Sequence, residues 1–399
     1  MQQEVRFATF NVLNLAPPGV RFYVDQEAHT QEQYDAKVEW IARQLDLLDA
    51  DVIGFQEIFS QAALREVLAR TLKYRDAHHV GFDPVGQEDL QTSVQAGTLT
   101  PSVALVSRLP IVGSPASHAR YPHGLAVALP GIDTPVTTFT RPILHVQVSV
   151  PMADAQAPVA LPGRPAPRPQ TIDVLVCHLK SKRPDYRGGP VGSGANASQA
   201  ANRPNGGMDG DTGGSSETKH GNGDGAVNPV QVVESIDSKP ENDSYQLGLA
   251  MLRSLIRRGA EALGLRYLIS DQLRRQRLPL VVLGDFNDVA AAMTTQLVTG
   301  ATSERRSLRE GPTDRLFDSY RIQTRGRPVR DVSFTHTHEN IAETIDHVLV
   351  SEAFEPGAPG AIGEVLEVIY VNDHLGLRAP AASDHGIVLA RLLLYGTQV

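Results

Sequence analysis

The segment LPLVVLGDFNDV, residues 278–289, drives four consecutive apolar residues, Leu280 to Leu283, through Gly284 into an acid at Asp285. An amide, Asn287, and a second acid, Asp288, follow at once. The apolar run reads as a buried strand, and two readings of its polar end compete. Asp and Asn after a strand close turns by bonding their own backbone, and Gly284 supplies permissive dihedrals. Alternatively the end is a site. Side chains alternate along an extended segment, so Asp285 and Asn287 point the same way. Oxygen ligands there suit a hard cation, and amide hydrogens hold an anion.

The flanks decide the fold class. SYQLGLAMLRSLIRRGAEALGLRYLISDQLRRQ (244–276) predicts a long helix, and TIDVLVCHLKSKRP (171–184) a strand ending at His178 and a basic cluster. VRFATFNVLNL (5–15) reads as a buried strand with a polar end. Tyr34, Val38, Ile41, Leu45 and Leu48 then recur at alternating steps of four and three, the stripe of an amphipathic helix. DVIGFQE (51–57) is another short apolar strand that runs into an acid, and QAALREVLARTL (61–72) is a second helix. PSVALVSRLPIV (101–112) and TPVTTFTRPILHVQVSV (134–150) predict longer strands. RLFDSYRIQ (315–323), DVSFTHTH (331–338), TIDHVLVSEAF (344–354), GEVLEVIYV (363–371) and HGIVLARLLLY (385–395) are mostly strands with polar junctions. This order predicts mixed α/β layers, not an all-parallel sheet.

Two stretches stand apart. Prolines make 152–170 a surface loop, a long hairpin connection, and residues 185–244 are dense in Gly, Asn, Ser and Asp. The second stretch cannot bury enough apolar surface to offset its ordering entropy, so a flexible insertion within one domain, residues 1–399, is expected. Its fragments GMDGDTGG and GNGDGA lack the spacing and terminal Glu of a calcium loop. The net charge of −8 excludes a global basic field, so nucleic-acid binding requires a local patch. The single cysteine, Cys177, excludes an internal disulfide framework and suits a reducing compartment. With no basic start followed by an apolar core, and no apolar run near the roughly 20 residues of a membrane span, a cytoplasmic chain is expected, and a processed secreted form reads the same.

Eight polar residues lie at the ends of apolar strands: Asn11, Glu57, His178, Asp285, Asn287, Asp346, Asp384 and His385. Ligands collect where strand ends converge in open α/β architectures. The segments TFNVLNL (9–15), DVIGFQEI (51–58), VALVSRLPIV (103–112), CHLKSK (177–182), VVLGDFND (281–288), TIDHVLVS (344–351) and ASDHGIVL (382–389) occur in an order that resembles the endonuclease/exonuclease/phosphatase family. That resemblance spans Phe7 to Leu389 apart from the two loops. It implies a four-layered α/β sandwich, two mixed sheets face to face with helices outside, and one cleft fed by both sheets.

The resemblance also implies roles. Glu57 is the principal metal ligand, with Asn11 and Asp384 completing the shell directly or through water. Mg²⁺ is the expected ion, since it takes oxygen ligands and keeps waters, and Mn²⁺ can substitute. A second ion near Asp285 and Asn287 stays open. Asp285 orients or deprotonates water, Asn287 holds a phosphoryl oxygen, and His385 donates to another or acts in acid–base work. Asp346 fixes the His385 tautomer and raises its pKa. His178 matches a phosphate-contacting position. His347 is expected to be structural, His336 and His338 a solvated edge, and Cys177 a buried thiol.

The ester is less defined. Lys180, Lys182 and Arg183 form either a solvated loop or a phosphate-backbone patch, and Arg258 matches a recurring family arginine. The motifs look most like bacterial nuclease-type members, which makes a DNA or RNA phosphodiesterase the leading expectation. A lipid or small-molecule phosphohydrolase of the same fold is the alternative. A non-catalytic module would have lost one of Glu57, Asp285, Asp384 and His385, and all are present.

Overall fold

Strands that are apolar on both faces need cover on both faces, and the chain supplies it by stacking two sheets between helices. The computed structural model describes residues 2–22, 27–83, 100–152, 168–186, 243–300, 314–325, 333–358, 360–376 and 379–396. Apart from their ends, the Pro-rich loop and the Gly/Asn/Ser-rich stretch lie outside the described residues.

One six-stranded sheet holds β1 (Gln2–Leu15), β2 (Val52–Ile58), β3 (His78–Gly81), β4 (Ser102–Ser107), β15 (Gly363–Val371) and β16 (Ile387–Tyr395), in the order β15-β16-β1-β2-β4-β3. The other holds β5 (Ile111–Arg120), β8 (Thr138–Val150), β9 (Gln170–His178), β10 (Leu280–Asp285), β11 (Leu316–Asp318) and β14 (Asp346–Ser351), in the order β11-β14-β10-β9-β8-β5. The β1–β2 and β9–β10 pairs are parallel and the rest antiparallel, so both sheets are mixed. Two hairpins stand outside them: β6 (Val127–Leu129) with β7 (Ile132–Val136), and β12 (His336–His338) with β13 (Ile341–Glu343).

Alternation then sorts the layers. In β1, Val5 and Phe7 pack between the sheets, while Ala8, Phe10 and Val12 pack outward against α1 (Gln31–Leu48) and α2 (Gln61–Arg70). In β10, Val281 and Leu283 face the inter-sheet core, while Leu280 and Val282 pack with Ala262, Leu265 and Ile269 of α3 (Ser244–Arg275). The fold is therefore the expected four-layered α/β sandwich. A capping box between Thr30 and Gln33 starts α1, and the Asp243 carboxylate accepts two backbone N–H bonds at the start of α3.

TPVTTFTRPILHVQVSV is split between β7 and β8, which belong to different sheets, and two further local expectations fail for identifiable reasons. PSVALVSRLPIV is not one strand: β4 and β5 belong to different sheets, and the chain crosses between them at Pro110, which has no N–H for a ladder. RLFDSYRIQ is strand only to Asp318, whose carboxylate accepts the Tyr320 N–H at 2.9 Å and caps a short helix, α4 (Ser319–Gln323). The expected hairpin connection holds at its ends, where Val150 pairs with Gln170. Each sheet draws strands from both sides of that connection. Among the described residues, no helix is long and apolar enough to cross a membrane.

Candidate active site

Three neighbouring strands bring polar ends to one level. Asp285 of β10 pairs in register with His178 of β9 on one side and with Asp346 of β14 on the other. Gly284 allows this closeness, because a Cβ there would lie 2.4 Å from Cys177 Sγ and 2.5 Å from the Cys177 carbonyl oxygen. The strand stops at Asp285, so the alternation expected to align Asp285 with Asn287 does not continue. Asn287 instead takes a φ of 53°, and its N–H donates to Asp285 Oδ1 at 2.7 Å. The segment is both a turn and part of the site. The Asn287 side-chain amide donates to the carbonyl of Leu179, the residue after His178, at 3.0 Å.

The other sheet contributes Asn11 and Glu57. Asn11 Nδ2 lies 3.0 Å from Asp285 Oδ2 and 3.4 Å from both Glu57 Oε1 and His385 Nε2. Its own Oδ1 accepts the Leu13 N–H at 3.1 Å. The second Glu57 oxygen accepts the Asn14 N–H at 3.0 Å. Leu13, Asn14 and Glu57 all have positive φ, at 54°, 56° and 63°. Non-glycine residues there cost roughly 1 kcal/mol or more each, so strain gathers around one carboxylate.

The SDH segment closes the site. The Ser383 hydroxyl donates to the Asn11 carbonyl at 2.6 Å and accepts the His385 N–H at 3.0 Å. His374 Nε2 donates to the His385 carbonyl at 2.8 Å, and His385 Nδ1 donates to Asp346 Oδ2 at 2.8 Å. Burial alone would lower the His385 pKa, but the charges of Asp346 and Asp285 and the Asp346 hydrogen bond outweigh it and raise it well above the usual histidine range. Burial and then the Asp346 charge raise Asp285, against the opposing effect of His385. His178 moves the other way: burial first, then the charges of Arg141, His385 and Lys180, push it well down and keep it neutral. Its Nε2 lies 3.4 Å from Asp285 Oδ2. Asp384 is half exposed, with Oδ1 3.9 Å from His385 Nε2.

The basic residues are more committed than expected. Lys180 Nζ folds back onto the carbonyls of Ser181 and Arg183, and burial lowers its pKa to about 8. Lys182 Nζ reaches Glu343 of the β12–β13 hairpin at 3.0 Å, while Arg183 is exposed. Arg258 is buried, holding Asp288 Oδ2 at 2.9 Å and the Lys180 carbonyl at 3.2 Å. It braces the loop after His178 against the turn after Asp285.

As expected, His347 faces elsewhere, bonded to Asp318 and the Asp288 carbonyl, and Cys177 is buried. His338 is exposed as expected; His336 is not on a solvated edge. It is half-buried, forms a β-bridge to His385 and has its ring centroid 5.1 Å from that of His385. Two further residues escaped sequence reasoning. Lys37 on α1 is buried, its pKa lowered to about 8 by burial against the opposing charges of Glu57 and Asp384. Arg141 is buried with NH1 3.3 Å from the Leu179 carbonyl. Each left a signal, a lysine within the apolar stripe of α1 and an arginine inside an apolar strand.

The carboxylate oxygens of Glu57 and Asp384 fit a hard divalent cation, while Asn11 turns its Nδ2 to Glu57 and its Oδ1 to the Leu13 N–H, so it would join the shell through water or with its amide turned over. Among the described residues, two sets of acidic and imidazole groups have ligand atoms all within 4.8 Å: His336–Asp384–His385 and Asp285–Asp346–His385. Neither includes Glu57, which is tied to the cluster through Asn11.

No curated protein matches the chain. Solved structures similar to it include an endonuclease/exonuclease/phosphatase from Bacteroides vulgatus, at 14% identity over 98% of this chain and 99% of that one, TM-score 0.48. The human Nocturnin catalytic domain with bound sulfate is similar at 11% identity, covering 98% and 94%, TM-score 0.48. D. rerio TDP2 humanized by 14 mutations is similar at 10% identity, covering 98% of each chain, TM-score 0.45. The family profile described as Endonuclease/Exonuclease/phosphatase matches residues 8–385, a span that takes in every strand-end residue described above. The chain belongs to the endonuclease/exonuclease/phosphatase family, whose members are hydrolases acting on phosphate esters.

Proposed function

We propose that this protein is a divalent-metal-dependent phosphodiesterase acting on nucleic acid, working as one domain over residues 1–399. The observation that carries this reading is the row His178–Asp285–Asp346 in register, closed by His385 and joined to Glu57 through Asn11. Hydrolysis of a phosphodiester needs water to lose a proton, phosphoryl charge to be neutralised and the leaving oxygen to be stabilised. Asp285 takes the proton, and its raised pKa makes it a better base near neutrality. His385, kept protonated by Asp346, donates to a phosphoryl oxygen or the leaving oxygen. Neutral His178 has an N–H to offer a second phosphoryl oxygen, and buried Arg141 adds positive charge behind it. Asn287 fixes the loop that carries His178. Glu57, Asn11 and Asp384 would hold Mg²⁺ or Mn²⁺, which supplies charge neutralisation and acidifies bound water.

A second reading has one observation in its favour. Lys180 and Lys182 are paired internally, which leaves less cationic surface for a long phosphate backbone and suits a small-molecule or lipid phosphate ester. An activity panel with Mg²⁺, Mn²⁺ and EDTA separates the two. It should include plasmid DNA, single-stranded DNA, RNA, sphingomyelin, phosphoinositides and bis(p-nitrophenyl) phosphate. Turnover of DNA or RNA well above that of the lipid substrates supports the nuclease; the reverse order favours the second reading. Turnover in excess EDTA would exclude metal dependence.

A further inference from the structure

We propose that His336, Asp384 and His385 form a binding site for a borderline-soft divalent ion of the Zn²⁺ type, whose occupation excludes catalysis. The site differs in chemistry from the oxygen set of Asn11, Glu57 and Asp384. Two imidazoles and one carboxylate are a donor set that Zn²⁺ takes readily and Mg²⁺ does not.

The geometry is close to what an ion requires. The three ligand atoms lie within 4.8 Å of one another, and His385 Nε2 is 3.9 Å from Asp384 Oδ1. Ligands around tetrahedral Zn²⁺, at roughly 2.0–2.2 Å from the metal, stand about 3.3 Å apart. Closing the set therefore takes shifts of about an ångström, which two of its members can make. The Asp384 side chain is 52% exposed, and His336 opens the two-stranded β12–β13 hairpin. His385 already has the outer partner that metal-bound imidazoles use, since its Nδ1–H is held by Asp346 Oδ2 at 2.8 Å, which leaves Nε2, 3.9 Å from Asp384 Oδ1, as the ligand atom. A water fills the fourth position of such a site.

The consequence follows from shared atoms. An ion on His385 Nε2 displaces the proton that nitrogen carries, which leaves to solvent, and so leaves it no hydrogen to donate; it also draws Asp384 from the Mg²⁺ set. The inhibitory half of the proposal rests on the phosphodiesterase reading; the binding half does not.

Two measurements keep the halves distinct. Zn²⁺ titrated calorimetrically into metal-stripped full-length protein, with Co²⁺ absorption as a second probe of imidazole ligation, reads binding alone. The chain has 13 histidines, so the differences between variants decide. His336→Ala and His336→Gln should each weaken the tightest Zn²⁺ event by at least about tenfold and diminish the Co²⁺ bands. His338→Ala, two positions along the same edge, should leave both unchanged. Wild-type Zn²⁺ affinity in both His336 variants overturns the site. The second measurement is Zn²⁺ inhibition of bis(p-nitrophenyl) phosphate hydrolysis at saturating Mg²⁺, expressed against each variant's own rate. Loss of Zn²⁺ binding in the His336 variants without relief of inhibition would keep the site and refute its inhibitory role. A protein inactive under every metal would refute the phosphodiesterase reading and leave the binding result standing.

Discussion

Asp285 and Asp346 sit directly opposite each other on β10 and β14, two buried carboxylates with His385 between them. The Asp346 charge adds to burial in raising the proton affinity of Asp285, and the imidazole offsets the repulsion by holding a proton. Asp285→Asn and His385→Ala should each lower kcat on the order of a hundredfold or more, with a far smaller change in KM. Either variant keeping near wild-type turnover would remove that residue from its proposed role.

Asp346→Asn should move the whole pH–rate profile. His385 is raised by the Asp346 charge and works protonated, so losing that charge lowers it and brings the descending limb to lower pH. Asp285 is raised partly by the same charge and works ionised, so its ascending limb also moves to lower pH. Both limbs shift in the acid direction together. Movement of one limb alone would mean that Asp346 acts on only one of the two groups.

Metal removal tests the strained end of β2. EDTA should abolish turnover, and Glu57→Gln should raise the Mg²⁺ concentration for half-maximal activity by about tenfold or more while the circular dichroism spectrum is kept. The amide retains an oxygen for the Asn14 N–H but removes one charge opposite Lys37. An unchanged metal requirement would place the ion elsewhere in the cleft.

His79 offers a prediction about stability, not turnover. Burial first, then the charge of Arg65, pushes its pKa to about 4, below the roughly 6.5 of an unfolded chain. Between those values the unfolded state binds more protons, so stability is complete above about pH 6.5 and declines as pH falls towards 4. His79→Gln can still donate to Gln61 Oε1, 2.8 Å away in the native protein, and does not titrate. The fall in Tm from pH 7 to pH 4.5 should be smaller in the variant; equal falls would mean that other groups set the acid limb.

What the sequence disclosed, and what it concealed, follows from the range of each interaction. Strands that end in Asp285, Glu57 or His178 are local patterns, and apolar runs alternating with amphipathic helices imply mixed α/β layers; the four-layer arrangement itself is implied only by the family resemblance. The Asn11 contacts to Asp285 and His385 cross 274 and 374 positions, and no period in the sequence encodes them. They depend on which sheet edges face each other. His336 follows the same rule: on its own segment it reads as an exposed edge, and its segment does not encode the bridge to His385. Lys37 was legible, standing three positions after Tyr34 and four before Ile41 on the buried face of α1. Arg141 was legible as a cation preceding Pro142 in an apolar strand.

The basic residues can separate support of the site from contact with substrate. Arg258 is buried, and its guanidinium joins Asp288 to the Lys180 carbonyl. Removing one partner of a buried pair leaves the other uncompensated, at a cost of roughly 3–5 kcal/mol when both are fully buried and less where, as for Asp288, some solvent reaches the carboxylate. Arg258→Ala should therefore lower Tm and turnover on every substrate. Lys182 and Arg183 are exposed, so Lys182→Ala with Arg183→Ala should leave Tm within experimental error. On an acidic chain, local cations are what let a long polyanion approach. If they hold neighbouring phosphates, the double variant should raise KM for DNA or RNA and flatten its salt dependence by roughly one unit of log–log slope per lost contact. Bis(p-nitrophenyl) phosphate, which has no neighbouring phosphates, should be hydrolysed as before. Unchanged nucleic-acid KM and salt slope would shift the assignment to the small-molecule or lipid ester, because the Lys182–Glu343 pair would then be only a strap between the loop and the β12–β13 hairpin.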